Sequence, residues 1–165
     1  MKIFVLRHGV TGESDTDEAR ELTSQGAQEI KAVISRHKYE LSSVQQILCS
    51  PMPRVRNTVD LAADLIGFKG EVTETQDLNT GSRLEEVKRC LSTVNLDAGD
   101  LLISSHQSCT SIMVLWLIGE DILIPNGSLL AIEVEELAYG KGKLLWQDSA
   151  GSNEVKRSAN FIDMF

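Results

Sequence analysis

The sequence is short of cysteine, proline, positive charge and long apolar runs, and each shortage excludes something. Its three cysteines, Cys49, Cys90 and Cys109, have no paired spacing, which argues against a disulfide framework or a zinc site. Cys49 and Cys109 sit inside apolar runs and read as small buried side chains, a usage suited to a reducing compartment. Only three prolines occur in 165 residues, and none marks a linker, so a single domain spanning 1–165 is expected. The longest apolar stretch in the body of the chain, Ile112 to Ile118, is far too short to cross a bilayer. The opening Met1-Lys2-Ile3-Phe4-Val5-Leu6 is too short for a signal peptide and is cut off by Arg7-His8. A cytoplasmic chain without a membrane segment is therefore expected, in which Asn126-Gly127-Ser128 is a turn rather than a glycan acceptor.

Lysine and arginine number 16 against 24 acidic residues, a net charge of −8 with a pI near 4.9. Such a chain repels the nucleic-acid backbone, so no nucleic-acid partner is expected. It also repels anionic substrates at long range, and a phosphorylated substrate would need positive charge concentrated locally. No internal repeat, glycine-rich P-loop with its Lys-Ser/Thr, or Gly-x-Ser-x-Gly elbow occurs. None of His8, His37 and His106 pairs with another ligand at metal spacing, so neither metal nor cofactor is expected.

What is present is an alternation of elements. Ile3 to Leu6 reads as a buried strand that Gly9 breaks, and Val10 to Glu21 as a polar loop. Thr23 or Ser24 caps a helix running to about His37, with Ala27, Ile30, Val33 and Ile34 on one face. Val44 to Cys49 is a second buried strand. A helix from about Arg54 to Ile66 follows, stopped by Gly67. Glu71 to Thr75 reads as an edge strand, 76–82 as a loop and Leu84 to Leu91 as a helix. The strand Leu101 to Ser104 precedes a helix from about Ser108 to Ile118. Ser128 to Val134 and Lys143 to Gln147 form an antiparallel pair turning at Lys141 and Gly142. Residues 149–165 show no period. Strands alternating with helices predict an α/β fold, a three-layer α/β/α sandwich around a mostly parallel central sheet. In such sheets ligands bind beyond the carboxyl ends of the strands.

Three short motifs fall at those ends. A neutral imidazole such as His8 is a competent nucleophile, and Arg7 beside it offers a planar fork of donors that matches phosphate. Gly9 permits close approach of a phosphoryl group to the backbone. An isolated Arg-His-Gly tripeptide is more often a solvent-exposed pair. Arg54, after Ser50-Pro51-Met52-Pro53, falls at a helix start, where a cation opposes the helix dipole unless an anion offsets it. Arg56, two positions on, is its rival but faces another side. His106 ends an apolar strand at a polar break, where a satisfied buried histidine is an equal reading. His37, at the polar end of a helix, is expected to be solvated.

Taken together these residues resemble the histidine phosphatase superfamily, the phosphoglycerate mutase-like fold. Leu6-Arg7-His8-Gly9 resembles its signature, and Leu22-Thr23-Ser24-Gln25-Gly26 its Leu-Thr-x-x-Gly helix start. Ser50-Pro51-Met52-Pro53-Arg54 followed by Thr58 resembles its Ser-Pro-x-x-Arg motif, and Ile103-Ser104-Ser105-His106 its second-histidine motif. The four occur in the expected order over residues 1 to about 118. Val10 after the first motif and Pro53 before Arg54 depart from the usual pattern without removing a motif residue.

Size and layout look most like the SixA-type protein-phosphohistidine phosphatases of bacteria. The resemblance implies that His8 is phosphorylated and that Arg7, Arg54 and His106 form the phosphate pocket, with Gly9 and Ser50 contacting substrate. It implies as partner a phosphorylated histidine phosphotransfer domain of a sensor kinase, met by a monomer. Many ester-cleaving relatives carry an acidic proton donor. Here Gln107 follows His106 and no acid is placed by motif, although Asp77, Glu85 or Glu13 could reach the pocket. An acid-poor site suits P–N cleavage, because an ester alkoxide leaves badly without a proton. The alternatives are a small-molecule phosphomonoesterase of the same superfamily, a non-catalytic phosphohistidine-binding module and a phosphotransferase.

Overall fold

The computed structural model describes residues 1–151 and 156–157. The expectation for 149–165 therefore lies largely outside the described residues. The elements in chain order are β1 (Lys2–Arg7), α1 (Ser24–Arg36), α2 (Lys38–Leu41), β2 (Val44–Cys49), α3 (Pro53–Ile66), β3 (Val72–Glu74), a 3-10 turn (Gln76–Leu78), α4 (Leu84–Ser92), β4 (Asp100–Ser105), α5 (Gln107–Ile118), β5 (Leu129–Glu133), β6 (Lys143–Asp148) and the two-residue β7 (Lys156–Arg157). All seven strands join one sheet in the order β3-β2-β4-β1-β5-β6-β7. β3, β2, β4 and β1 are mutually parallel, and β5, β6 and β7 extend the sheet by antiparallel pairing.

β1 is apolar without interruption because both its faces are covered, as parallel strands require. Phe4 and Leu6 face α1 and α3, packing with Ile30, Val33, Val55 and Val59. Ile3 and Val5 face α4 and α5, packing with Val87, Leu91, Met113 and Leu117. The chain steps outward from β1 to β2 to β3 with α1–α3 on the first face. It then returns to β4 with α4 on the second, the arrangement that right-handed crossovers dictate. Gly67 and Gly119, at φ 71° and 76°, end α3 and α5 in left-handed caps. No helix among the described residues is long and apolar enough to cross a membrane.

His37 departs from the expected solvated position. It is buried at the end of α1, stacked on Trp146 with centroids 3.9 Å apart, and its Nε2 lies 2.8 Å from Asp148 Oδ2. Arg36 also binds that carboxylate through Nε at 2.9 Å and Nη2 at 3.1 Å. The polar look of the helix end was misleading because its partners lie on β6, more than a hundred residues on.

Candidate active site

β1 and β4 are neighbours with Arg7 opposite Ser105, and β4 and β2 are neighbours with Ser104 opposite Cys49. Their carboxyl ends therefore deliver Arg7-His8, His106 and, through the start of α3, Arg54 to one place. These four side chains line a single cleft of about 340 Å³. Arg56 is not among its lining residues; it is partly exposed and paired with Asp60 at 2.9 Å and Glu74 at 3.1 Å.

His8 is nearly buried, and its Nδ1 is 2.8 Å from the Gly9 carbonyl oxygen. A carbonyl only accepts, so Nδ1 carries the proton and Nε2 is left as a lone pair. Burial pushes His8 down to about 4, with the Gly9 bond opposing and the charges of Arg54, Arg7 and Arg20 assisting. His8 is thus neutral at pH 7, in the tautomer a nucleophile needs. The His8 and His106 rings meet edge to face with centroids 5.6 Å apart. Burial, then Arg54 and His8, likewise push His106 down to about 4 against the pull of Asp17.

The donors around His8 are incompletely used. Arg7 is anchored by Nη1 to the Ile124 carbonyl at 2.7 Å, yet its Nε is buried without a partner. Arg54 is 3% exposed and gives Nη1 to the Asp17 carbonyl and Nη2 to Asp17 Oδ2 and Thr80 Oγ1, while its Nε has no partner. His106 Nδ1 is also buried, and none of these three nitrogens has a partner among the described residues. Buried polar groups are normally satisfied, and the residues that carry the three all line the one cleft, an arrangement suited to an anion.

Gly9 and Ser50 are not among the residues lining the cleft. A Cβ on Gly9 would lie 2.6 Å from Leu22 Cδ1 and 3.1 Å from the Gly26 carbonyl, and the Gly9 N–H donates to Thr58 Oγ1 at 3.3 Å. Gly9 thus allows close packing of the β1 end against α1. Gly26 mirrors it: a Cβ there would run into the Val10 carbonyl, which already accepts from Thr23 N. Thr23 caps α1 by accepting from Gly26 N at 2.9 Å, so the Leu-Thr-x-x-Gly stretch clamps the loop behind His8. Ser50 is fully buried behind His106, its Oγ 2.8 Å from Nε2. It holds the histidine and is not among the residues lining the cleft.

None of the three acids considered from sequence lines the cleft. Asp77 is turned toward Arg89, 2.5 Å from its Nη2, Glu85 faces Lys88 and Glu13 is exposed on its loop. The carboxylate at the cleft is Asp17, which sequence did not single out, together with Arg20, Thr11, Thr80 and Asn126. Burial alone would raise the Asp17 carboxyl, but the bond to and charge of Arg54, and then of Arg20, hold it below its ordinary value. No cluster of three metal-ligating side chains occurs among the described residues.

A family model for the histidine phosphatase superfamily (branch 1) matches residues 3–87, more than half of the chain. Phosphohistidine phosphatase SixA of Escherichia coli (strain K12) is 22% identical over 153 residues, covering 90% of this chain and 94% of that protein. The solved structure of the protein histidine phosphatase SixA complexed with tungstate superposes with a TM-score of 0.82 at 23% identity, over 91% of this chain and 97% of that one. The alpha-ribazole phosphatase from Shigella flexneri superposes at 0.70 with 17% identity, covering 96% of each chain. At such identities the superpositions establish the three-layer fold.

Proposed function

Because this chain belongs to the histidine phosphatase superfamily, we propose that it hydrolyses phosphohistidine on a signalling protein through a phospho-His8 intermediate. The observation that carries this reading is the set of three buried nitrogens without a partner among the described residues, Arg7 Nε, Arg54 Nε and His106 Nδ1, beside a histidine whose Nδ1 meets the Gly9 carbonyl and so leaves Nε2 as a lone pair. In the first step Nε2 attacks phosphorus in line. The P–N bond breaks, its electron pair stays on the substrate imidazole, and that imidazole leaves neutral when its other nitrogen already carries a proton. Arg7, Arg54 and His106 donate to the equatorial oxygens, an electrostatic stabilisation set up before the reaction begins. Water then attacks phospho-His8, releasing inorganic phosphate and returning His8 to its neutral form. The positive charge comes from the two guanidinium groups, so the reaction calls for neither metal nor cofactor.

P–N cleavage is favoured over ester cleavage by the lack of a poised acid among the described residues. Asp17 is held ionised between Arg54 and Arg20, and an alkoxide leaving group needs a proton that an ionised carboxylate does not carry. The likeness to SixA proteins supports the same choice. The partner proposed is the phosphorylated histidine phosphotransfer domain of a sensor kinase, met in the cytoplasm by a monomer. The test is phosphate release from a phosphohistidine-bearing protein and from an alkyl phosphate, by wild type and by His8→Ala. Fast release from the protein by wild type alone supports the proposal. Faster turnover of the ester moves the reading to a phosphomonoesterase, and tight binding without release moves it to a binding module.

A further inference from the structure

Ser50 has one proton to give and two acceptors to give it to. Its Oγ lies 2.8 Å from His106 Nε2 and 3.4 Å from Asn79 Oδ1, and it accepts the Met52 N–H at 3.3 Å. The amide of Asn79 is oriented by its neighbours. The Thr80 N–H can only donate and meets Oδ1 at 3.0 Å, while Nδ2 donates to Gln76 Oε1 at 2.8 Å. A carbonyl-type acceptor therefore lies within reach of the Ser50 hydroxyl beside His106.

We propose that Asn79 is a positioning residue which, through Ser50, lets His106 pass from neutral to cationic when a phosphoryl group occupies the cleft. This rests on the phosphatase reading of the same site. On this proposal the Ser50 hydroxyl donates to Nε2 in the resting state and His106 is the neutral Nδ1–H tautomer; Nδ1 is buried and has no partner among the described residues. When a doubly negative anion binds, Nε2 takes a proton from solvent and donates to Ser50 Oγ. The hydroxyl hydrogen swings to Asn79 Oδ1, and no heavy atom has to move. Nδ1–H faces the anion in both states, and only the charge behind it changes. Without an acceptor at position 79 the displaced hydroxyl hydrogen has nowhere to go, and a buried cationic His106 is disfavoured.

The charged and titratable groups facing His106 are Arg54 from α3, His8 from the end of β1 and Asp17 from the 10–21 loop. Arg54 opposes a charge on His106 and Asp17 favours it. An arriving dianion reverses the balance, while the hydroxyl and amide behind the ring decide whether the new proton is accommodated.

The test is an imidazole ¹⁵N titration of His106 with and without saturating sulfate, which stays a dianion throughout. Wild type, Asn79→Leu and Asn79→Asp are compared. Wild type should show the Nδ1–H tautomer when free and a His106 pKa raised by at least three units when sulfate is bound. Asn79→Leu should lose most of that rise, whereas Asn79→Asp, which keeps an acceptor, should retain or exceed it. The phosphohistidine turnover of Asn79→Leu should then fall at least tenfold more at pH 7.5 than at pH 5.5. An Nε2–H tautomer in free wild type overturns the proposal without any variant. So does a sulfate-induced shift that is absent in wild type or equal in all three proteins. The phosphatase reading fails separately, if wild type and His8→Ala release phosphate from phosphohistidine equally slowly.

Discussion

Asp17 sits on Arg54 inside the cleft, with Oδ2 3.0 Å from Nη2 and its backbone carbonyl 2.7 Å from Nη1. The arginine that the site offers to an anion is therefore half-occupied by an anion of the protein's own. Arg20 holds the same carboxylate from the other side at 3.4 Å.

Asp17→Asn should consequently tighten oxyanion binding. The substitution removes a negative charge beside the phosphoryl position and leaves the backbone contact to Arg54 in place. The inhibition constant for sulfate and the KM for phosphohistidine should both fall several-fold, with kcat changed less. Weaker sulfate binding in the variant would mean that Asp17 holds Arg54 in position rather than competing at it.

Arg54 and Arg7 differ from surface arginines in having buried, idle Nε atoms. Arg7→Ala should lower kcat/KM by at least a hundredfold, about 3 kcal/mol of lost transition-state stabilisation. Arg54→Lys should not rescue, because an ammonium offers no planar fork to Asp17, Thr80 and a phosphoryl oxygen together. By contrast Arg56→Ala, at a partly exposed pair, should leave turnover within about twofold. A loss below tenfold at Arg7 would remove it from the proposed machinery.

How far the sequence exposed this site follows from what each residue depends on. Arg7, His8, Arg54 and His106 were legible because each stands at the end of an apolar strand or the start of the following helix, and local periodicity locates those points. Asp17, Arg20, Asn79 and Thr80 were not legible. They lie in polar loops without period, and only closure of the loops over the sheet edge brings Asp17, Arg20 and Thr80 to the cleft and Asn79 to Ser50. Ser50 and Gly9 were found, but neither is among the residues lining the cleft. Spacing shows that a residue is near a site, and it does not show whether it faces the ligand or supports a neighbour from behind. The fold itself followed from the apolar runs of β1 and β4, Ile3–Leu6 and Leu101–Ile103, and from their alternation with helical segments.

The two cleft histidines make a pH prediction in two parts. Both are pushed down to about 4 from an ordinary value near 6.5. The nucleophile is therefore neutral throughout the working range, and kcat/KM should show no loss as the pH is lowered from 8 to 5, with spontaneous phosphohistidine hydrolysis subtracted. A fall with a midpoint near 6.5 would mean that His8 is not the desolvated base described here.

Stability has the opposite interest in those protons. Between about 4 and 6.5 the unfolded chain binds protons at these positions that the native state does not, so stability falls as pH falls through that window. The full effect is on the order of 3 kcal/mol per histidine. Sulfate binding favours the protonated forms and should recover part of it. Its stabilising shift in melting temperature should thus be larger at pH 5 than at pH 7. Equal shifts at the two values would show that the anion does not sense these histidines.

The buried cluster at the far side of the first helix separates stability from activity. Asp148 is 2% exposed and is shared by Arg36, His37 and the Ser149 N–H. None of Arg36, His37, Trp146 and Asp148 lines the cleft. Asp148→Ala strands His37 and half of a guanidinium in a low-dielectric setting. It should cost about 3 kcal/mol, the lower end for a broken buried pair because Arg36 is 41% exposed. His37→Phe keeps a ring on Trp146 and gives up only the polar contact, so it should cost less than His37→Ala, which loses the stacking as well. Urea midpoints report these losses, and turnover per folded molecule should stay near wild type in all three. If His37→Phe proves as damaging as His37→Ala, the bond to Asp148 rather than the stacked ring is what fastens α1 to β6.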